Sequence, residues 1–80
     1  MSRPREIPIT SQTITLGQLL KLAGILDSGA QVKALLAQTP ASVNGERETR
    51  RGRQLRGGDR VRVGEHELLV IAAAPGAQTA

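Results

Sequence analysis

Apolar residues recur at helical spacing in the first half of this 80-residue chain and alternate with polar residues in the second half. The first helical group consists of Leu16, Leu19, Leu20 and Ala23. Their three- and four-residue spacing predicts an amphipathic helix of about 9 residues. Thr15 and Gln18 stand where a capping box places its two side chains. Gly24 follows the last apolar residue, where glycine commonly ends a helix in a left-handed conformation.

A second helix is predicted directly after the first. Its apolar stripe consists of Val32, Leu35 and Leu36. Ser28 precedes the stripe as the cap, with Gln31 at the third helical position. Pro40 ends the helix because it restricts the preceding residue to extended geometry. Since only residues 24–27 separate the two helices, we expect them to pack as a tight pair.

Strand and turn signals dominate the rest of the chain. Asn44-Gly45 is typical of a two-residue hairpin, since both turn positions need positive φ, and it joins residues 41–43 to residues 46–49. Valines and arginines alternate in residues 60–63, which predicts a strand whose valines face the core. A turn at Gly64-Glu65 then leads into a closing strand over residues 66–71.

Two shorter apolar stretches are harder to assign. Ile7, Ile9 and then Thr13-Ile14 indicate a short extended segment, and Pro8 confines it to the edge of a sheet because proline has no N–H to donate. Leu55 is a lone apolar anchor between an arginine-containing loop and a predicted turn at residues 57–59.

Positive charge is concentrated in residues 43–63. This segment contains seven arginines: Arg47, Arg50, Arg51, Arg53, Arg56, Arg60 and Arg62. Against the three acids Glu46, Glu48 and Asp59, they give the segment a charge of +4, equal to the formal charge of the whole chain. Guanidinium groups bind phosphate through paired hydrogen bonds. We expect a rigid scaffold to gather these arginines into one outward cationic ridge that binds a polyanion.

Composition excludes several other functions. Phe, Trp and Tyr are absent, so bases cannot stack on aromatic side chains, and Cys is absent, so no disulfide or thiolate metal site is possible. The chain has a single histidine, His66, and it lacks an activated nucleophile, a close pair of carboxylates and a phosphate-binding loop. We therefore predict no enzyme, no metal and no cofactor. No apolar run is long enough to span a bilayer, and we expect a cytoplasmic protein without a membrane partner or small-molecule substrate.

Several stretches resemble a known family. They are Gln31-Val32-Lys33-Ala34-Leu35-Leu36, Val43-Asn44-Gly45 and Gly58-Asp59-Arg60-Val61. Their order and spacing are similar to the RNA-binding domain named after protein four of the small ribosomal subunit. Its small stand-alone bacterial members look similar in further stretches: Thr15-Leu16-Gly17-Gln18, Asp27-Ser28-Gly29 and Thr49-Arg50-Arg51-Gly52-Arg53.

The resemblance implies an α+β fold in which two N-terminal helices pack on a small, strongly bent, mostly antiparallel sheet, the alpha-L RNA-binding motif. It covers residues 7–71, which leaves residues 1–6 and 72–80 as expected flexible tails. It also implies a single-domain protein, expected to be a monomer, that binds structured RNA, with ribosomal RNA as the first choice.

In this family, RNA is implied to lie across the second helix and the adjacent basic loop. The candidate RNA-binding residues are Ser28, Lys33, Arg47, Arg50, Arg51, Arg53 and Arg56. The family often has basic residues where this chain has Thr15 and Gly29, which moves the emphasis of the prediction to the loop over residues 50–53. Ser28 is also explained by helix capping alone, and exposed arginines also keep a small sheet soluble.

Two other functions were weighed. A protein-interaction module could use the same arginines to bind an acidic partner. A ubiquitin-like sulfur carrier also has a Val-Asn-Gly segment and a later Gly-Asp-Arg-Val, but it needs a C-terminal Gly-Gly, and this chain ends in Ala77-Gln78-Thr79-Ala80.

Overall fold

The computed structural model describes residues 3–26 and 28–72. The elements in chain order are β1 (Arg5–Pro8), β2 (Thr13–Thr15), α1 (Leu16–Leu22), α2 (Gly29–Gln38), β3 (Ala41–Val43), β4 (Glu46–Glu48), β5 (Gln54–Arg56), β6 (Arg60–Val63) and β7 (His66–Ile71). Five strands form one sheet in the order β1-β7-β6-β3-β4, and β2 pairs with β5 in a separate ribbon. The pair β1–β7 is parallel, whereas the other pairs are antiparallel.

The predicted fold class is wrong in its arrangement. The helices are not N-terminal, because β1 and β2 precede them, and in place of one small, mostly antiparallel sheet there is a mixed five-stranded sheet with a separate two-stranded ribbon. The helices make little contact with each other and do not form the tight pair that the short connection suggested. The described residues form seven strands and two helices. The ribbon of β2 and β5 was not predicted, because strands of three residues are too short to show any periodicity.

Local signals at the helix ends are confirmed. The Thr15 hydroxyl accepts from the backbone N–H of Gln18 at 3.2 Å, and the Gln18 side chain accepts from the Thr15 N–H at 3.3 Å, which completes the capping box. Gly24 follows α1 with φ +76°, and Ser28 caps α2 by accepting from the N–H of Gln31. These ends are set by neighbouring residues, so sequence alone predicts them.

The core lies between the helices and one face of the five-stranded sheet. It consists of Ile7, Ile9, Leu16, Leu19, Leu20, Ala23, Val32, Leu36, Ala41, Val43, Leu55, Val61, Val63, Leu68 and Val70. Because successive strand residues point to opposite sides, the alternation in β6 turns its valines to the helices and its arginines to the open face. Arg5 also reaches the helix side, where its Nη1 donates to the carbonyl of Ala23 at 2.7 Å, just beyond α1.

Two turns are tied together beside β6. Asn44 and Gly45 have φ values of +53° and +88°, as the predicted hairpin requires. The Asn44 side chain donates to Asp59 Oδ1 at 3.1 Å and accepts from the N–H of Arg60 at 2.9 Å. Asp59 also accepts from the N–H of Arg56 at 2.9 Å. These contacts fix the hairpin between β3 and β4 against the turn between β5 and β6.

Pro8 lies in the edge strand β1, as predicted. This strand begins at Arg5, inside the predicted tail of residues 1–6, while the domain boundaries themselves stay predictions. Residues 1–2 and 73–80 of the predicted tails lie outside the described residues. In the ranges described, neither helix is long and apolar enough to cross a membrane.

Candidate functional site

The loop over residues 50–53 is fixed to the start of α1. The backbone N–H of Leu16 donates to the carbonyl of Arg53, and the N–H of Gly17 donates to the carbonyl of Arg51, both at 2.9 Å. These N–H groups lie in the first turn of α1, where no partner within the helix is available. A Cβ at position 17 would lie 3.4 Å from the Arg51 carbonyl oxygen, which is ordinary van der Waals contact, so the loop packs closely on this turn of α1. The loop is therefore held by the helix that it contacts.

A buried carboxylate organises the base of this loop. Glu48, the last residue of β4, is 6% exposed and lies opposite the core residue Ala41. It accepts from the backbone N–H groups of Thr49 at 3.1 Å and Arg50 at 3.0 Å. It also accepts from Arg50 Nε at 3.1 Å, Arg50 Nη2 at 3.2 Å and Arg53 Nη1 at 3.0 Å. The guanidinium and backbone N–H of Arg50, with help from Arg53, lower the pKa of Glu48 to about 2 despite its burial.

The two arginines bound to Glu48 differ in how far they reach solvent. The side chain of Arg50 is 74% exposed and that of Arg53 is 35% exposed. Arg50 uses Nε and Nη2 for Glu48, so part of its guanidinium still faces water. Arg53 is the more enclosed of the two. Their charge is partly offset by the carboxylate that holds them.

Arg51 lies between these two residues and has a different environment. Its Nη1 is 3.4 Å from the carbonyl oxygen of Gly29, a weak hydrogen bond at the first turn of α2. Within residues 3–26 and 28–72 it forms no ion pair with a carboxylate. Arg51, Lys21 and Gly29 line a groove of about 280 Å³ between the two helices. The positive end of the α2 dipole and two cationic side chains thus meet at one groove.

The remaining arginines lie elsewhere, so the expectation of a single cationic ridge is wrong. Arg47 and Arg62 both stand opposite Ser42, on the sheet face that the helices leave open, and Arg60 shares that face. Arg56 belongs to the separate β2–β5 ribbon, where it lines a groove of about 630 Å³ beside residues 10–12. The sequence cluster is divided because its members belong to different elements: Arg47 lies on β4, Arg56 on β5 of the separate ribbon, and Arg60 and Arg62 on β6.

The other predicted residues lie on the helical side. The Ser28 hydroxyl accepts from the N–H of Gln31 at 3.3 Å and acts as the cap of α2. Lys33 is exposed on α2, and its side chain forms no ion pair with any of the residues that the structure describes. Of the candidate residues, the structure brings Arg50, Arg51 and Arg53 together with the helix starts, while Arg47 and Arg56 lie apart. Whether any of them contacts RNA stays a prediction.

Sequence reasoning missed Glu48 and Lys21. Glu48 was counted only as a charge opposing the arginines. The hairpin register contained the signal, because Asn44-Gly45 pairs Val43 with Glu46 and Ala41 with Glu48, which turns Glu48 towards the core side. Lys21 had no comparable signal, since its proximity to Arg51 depends on how the loop packs on α1. In the described ranges, no cluster of three potential metal-binding side chains occurs.

Comparison with known proteins gives two matches. A sequence model of the family described as "S4 domain" matches residues 7–71. A protein of Bacillus subtilis named "Probable ribosome maturation protein RlbA" is 46% identical over 57 residues, which cover 71% of this chain and 80% of that protein. The matched region contains both helices, the basic loop and strands β3 to β7.

Proposed function

This chain belongs to the S4 domain family, and on that premise we propose that it is an RNA-binding protein with a role related to the ribosome. The family match spans nearly the whole described fold. The name of the Bacillus subtilis relative supports a role in ribosome maturation as the first hypothesis for this chain.

The observation that carries the proposal is the groove at the starts of α1 and α2. Arg51 and Lys21 line it, and Gly29 brings the positive end of the α2 dipole to the same place. Phosphate groups bind well at such ends, and arginine adds donors in a planar fork. Because the loop backbone is hydrogen-bonded to α1, Arg51 is presented from a fixed base rather than from a mobile segment.

The proposed mode of recognition is contact with the phosphate backbone of folded RNA. The chain has no Phe, Trp or Tyr for base stacking, so most of the affinity must come from cationic contacts. Shape and backbone geometry then supply specificity, as for many proteins that bind structured RNA. Such binding weakens steeply as salt is raised, because phosphate contacts release counterions.

A matched pair of arginine variants tests the location of this surface. Arg51→Ala and Arg62→Ala remove the same charge from opposite sides of the protein. Arg51 is the better loop residue to change, since removing Arg50 or Arg53 would leave the buried carboxylate of Glu48 short of partners. Neither chosen arginine forms an ion pair in the described part of the chain.

Binding is measured by fluorescence anisotropy with a fluorescein-labelled RNA hairpin over a series of salt concentrations. Losing one charge-assisted phosphate contact at the groove should weaken binding about tenfold in Arg51→Ala. Arg62→Ala should change it by less than about threefold, through the long-range field alone. Equal losses in the two variants would contradict the proposed location, and no binding by the unsubstituted protein would overturn the function.

The ribosome-related role has a separate test. Cell extracts containing the tagged protein are sedimented through sucrose gradients, and the fractions that carry the ribosomal subunits and their precursors are probed for it. We expect association that is lost at high salt and reduced by Arg51→Ala. A protein that stays at the top of the gradient at low salt would refute the ribosomal role while leaving RNA binding as such intact.

A further inference from the structure

We infer that Glu48 is a positioning residue of the RNA-binding loop, an acidic side chain that strengthens the binding of a phosphate backbone. This inference rests on the proposed function, because it concerns how the loop over residues 50–53 is prepared for RNA. Charge alone predicts the opposite effect on RNA binding, because a carboxylate among arginines reduces their attraction for phosphate.

The carboxylate is placed by the strand and not by the loop. The register of β3 and β4 sets Glu48 opposite Ala41, on the core side of the sheet. Both oxygens are used: Oε2 accepts from two backbone N–H groups and from Arg50 Nε, while Oε1 accepts from Arg50 Nη2 and Arg53 Nη1. A side chain with 7% exposure and five donors has little freedom to move.

These contacts act on the loop at both of its ends. The N–H groups of Thr49 and Arg50 are held where the loop leaves β4, and the guanidinium of Arg53 is held where it returns. The N–H of Arg53 also donates to the carbonyl of Arg50 at 3.2 Å, which closes the turn. Arg51 therefore projects from a segment whose two neighbouring arginines are anchored to one carboxylate.

Preorganisation of this kind favours binding because less freedom is lost when RNA docks. An arginine that is mobile in the free protein loses side-chain entropy on binding, whereas one that is already held does not. Arg50 is held through Nε and Nη2 yet is 74% exposed, so it keeps donor capacity for a phosphate. Glu48 thus favours RNA binding by ordering the arginines in the free protein, and it opposes binding through the repulsion between its negative charge and RNA.

The variants Glu48→Gln and Glu46→Gln separate the two effects. Both residues lie in β4, and both changes raise the net charge by one, but Glu46 is exposed and forms no ion pair in the part of the chain described. If the change in net charge is the main effect, both variants bind the labelled RNA hairpin at least as tightly as the unsubstituted protein does. If positioning decides, Glu48→Gln weakens binding about tenfold, from releasing two arginines, while Glu46→Gln does not weaken it.

A measurement on the unsubstituted protein keeps the inference testable if Glu48→Gln does not fold. Nuclear magnetic resonance relaxation of arginine Nε–H groups reports how ordered each guanidinium is without RNA. Arg50 and Arg53 should be markedly more ordered than Arg62, which has no carboxylate partner among the described residues. In folded Glu48→Gln this difference should disappear.

Two results would overturn the inference. One is Glu48→Gln binding as tightly as Glu46→Gln, and the other is Arg50 and Arg53 as mobile as Arg62 in the free protein. If Arg51→Ala weakens RNA binding while either of these results holds, the positioning role fails and the proposed function stands. If the unsubstituted protein binds no RNA, both fail together.

Discussion

We predict that Glu48 makes the unfolding free energy of this protein fall at acid pH. Replacing Glu48 with glutamine should remove this contribution. Its pKa is lowered from 4.5 to about 2 by folding, chiefly through hydrogen bonds from Arg50 and then Arg53. A carboxyl whose pKa is lower in the folded state binds protons more readily when unfolded, so acid favours unfolding. The stabilisation is therefore complete above about pH 5 and is lost as the pH falls through the range from 4.5 to about 2.

The magnitude follows from the same shift. Without solvent screening, a pKa lowered from 4.5 to about 2 corresponds to at most about 3 to 4 kcal/mol of unfolding free energy. The main partner, Arg50, has a side chain that is 74% exposed, so solvent screens the pair. We therefore expect Glu48 ionisation to contribute about 1 to 2 kcal/mol near neutral pH.

Urea denaturation of the unsubstituted protein, Glu48→Gln and Glu46→Gln, followed by circular dichroism from neutral pH down to pH 2, measures this contribution. The stability difference between the unsubstituted protein and Glu48→Gln should narrow by about 1 to 2 kcal/mol as acid is added. The corresponding difference for Glu46→Gln should change much less, because Glu46 has no guanidinium partner in the described ranges. A difference for Glu48→Gln that stays constant across this range would refute the assigned role of the carboxylate.

Two further predictions concern the fold, and both are measured by urea denaturation at neutral pH. Arg5→Met keeps an apolar stem but loses the 2.7 Å hydrogen bond to the Ala23 carbonyl, so we expect a loss of about 1 kcal/mol; an unchanged midpoint would show that water replaces the contact fully. Asn44→Gly should cost about 1 kcal/mol by removing the side-chain bonds to Asp59 and to the N–H of residue 60. Asn44→Ala should cost about 1 kcal/mol more because its φ is +53°, and equal losses in these two variants would contradict that reasoning.

The arginine cluster shows where sequence reasoning about the site reached its limit. Seven arginines within residues 43–63 were expected to form one surface, yet they divide between the helical side, the open sheet face and the β2–β5 ribbon. Closeness along the chain does not mean closeness in space, because these arginines lie on β4, a loop, β5 and β6, and β5 belongs to a different sheet from β4 and β6. The resemblance implies a basic loop next to the second helix; in the structure the loop over residues 50–53 is hydrogen-bonded to α1, and Arg51 also reaches Gly29 of α2. The contacts of this loop with Glu48 were not predicted.

The fold was predictable wherever one local pattern sufficed. The capping box of Thr15, the cap at Ser28 and the hairpin at Asn44-Gly45 all appear where the sequence places them. The two-stranded ribbon was not predictable, since β2 and β5 are three residues long and each has a single apolar residue at its centre. Nothing within either strand specifies the distant partner.

What the sequence determined by itself was the set of elements whose causes lie within a few residues: helix caps, tight turns and alternating strands. The tertiary structure decided the parallel pairing of β1 with β7, the docking of the basic loop on α1 and the seating of Glu48 beneath two arginines. These features join residues far apart in the chain. Their free energy comes from burial and hydrogen bonding that exist only once the sheet and helices have packed, so no local pattern encodes them.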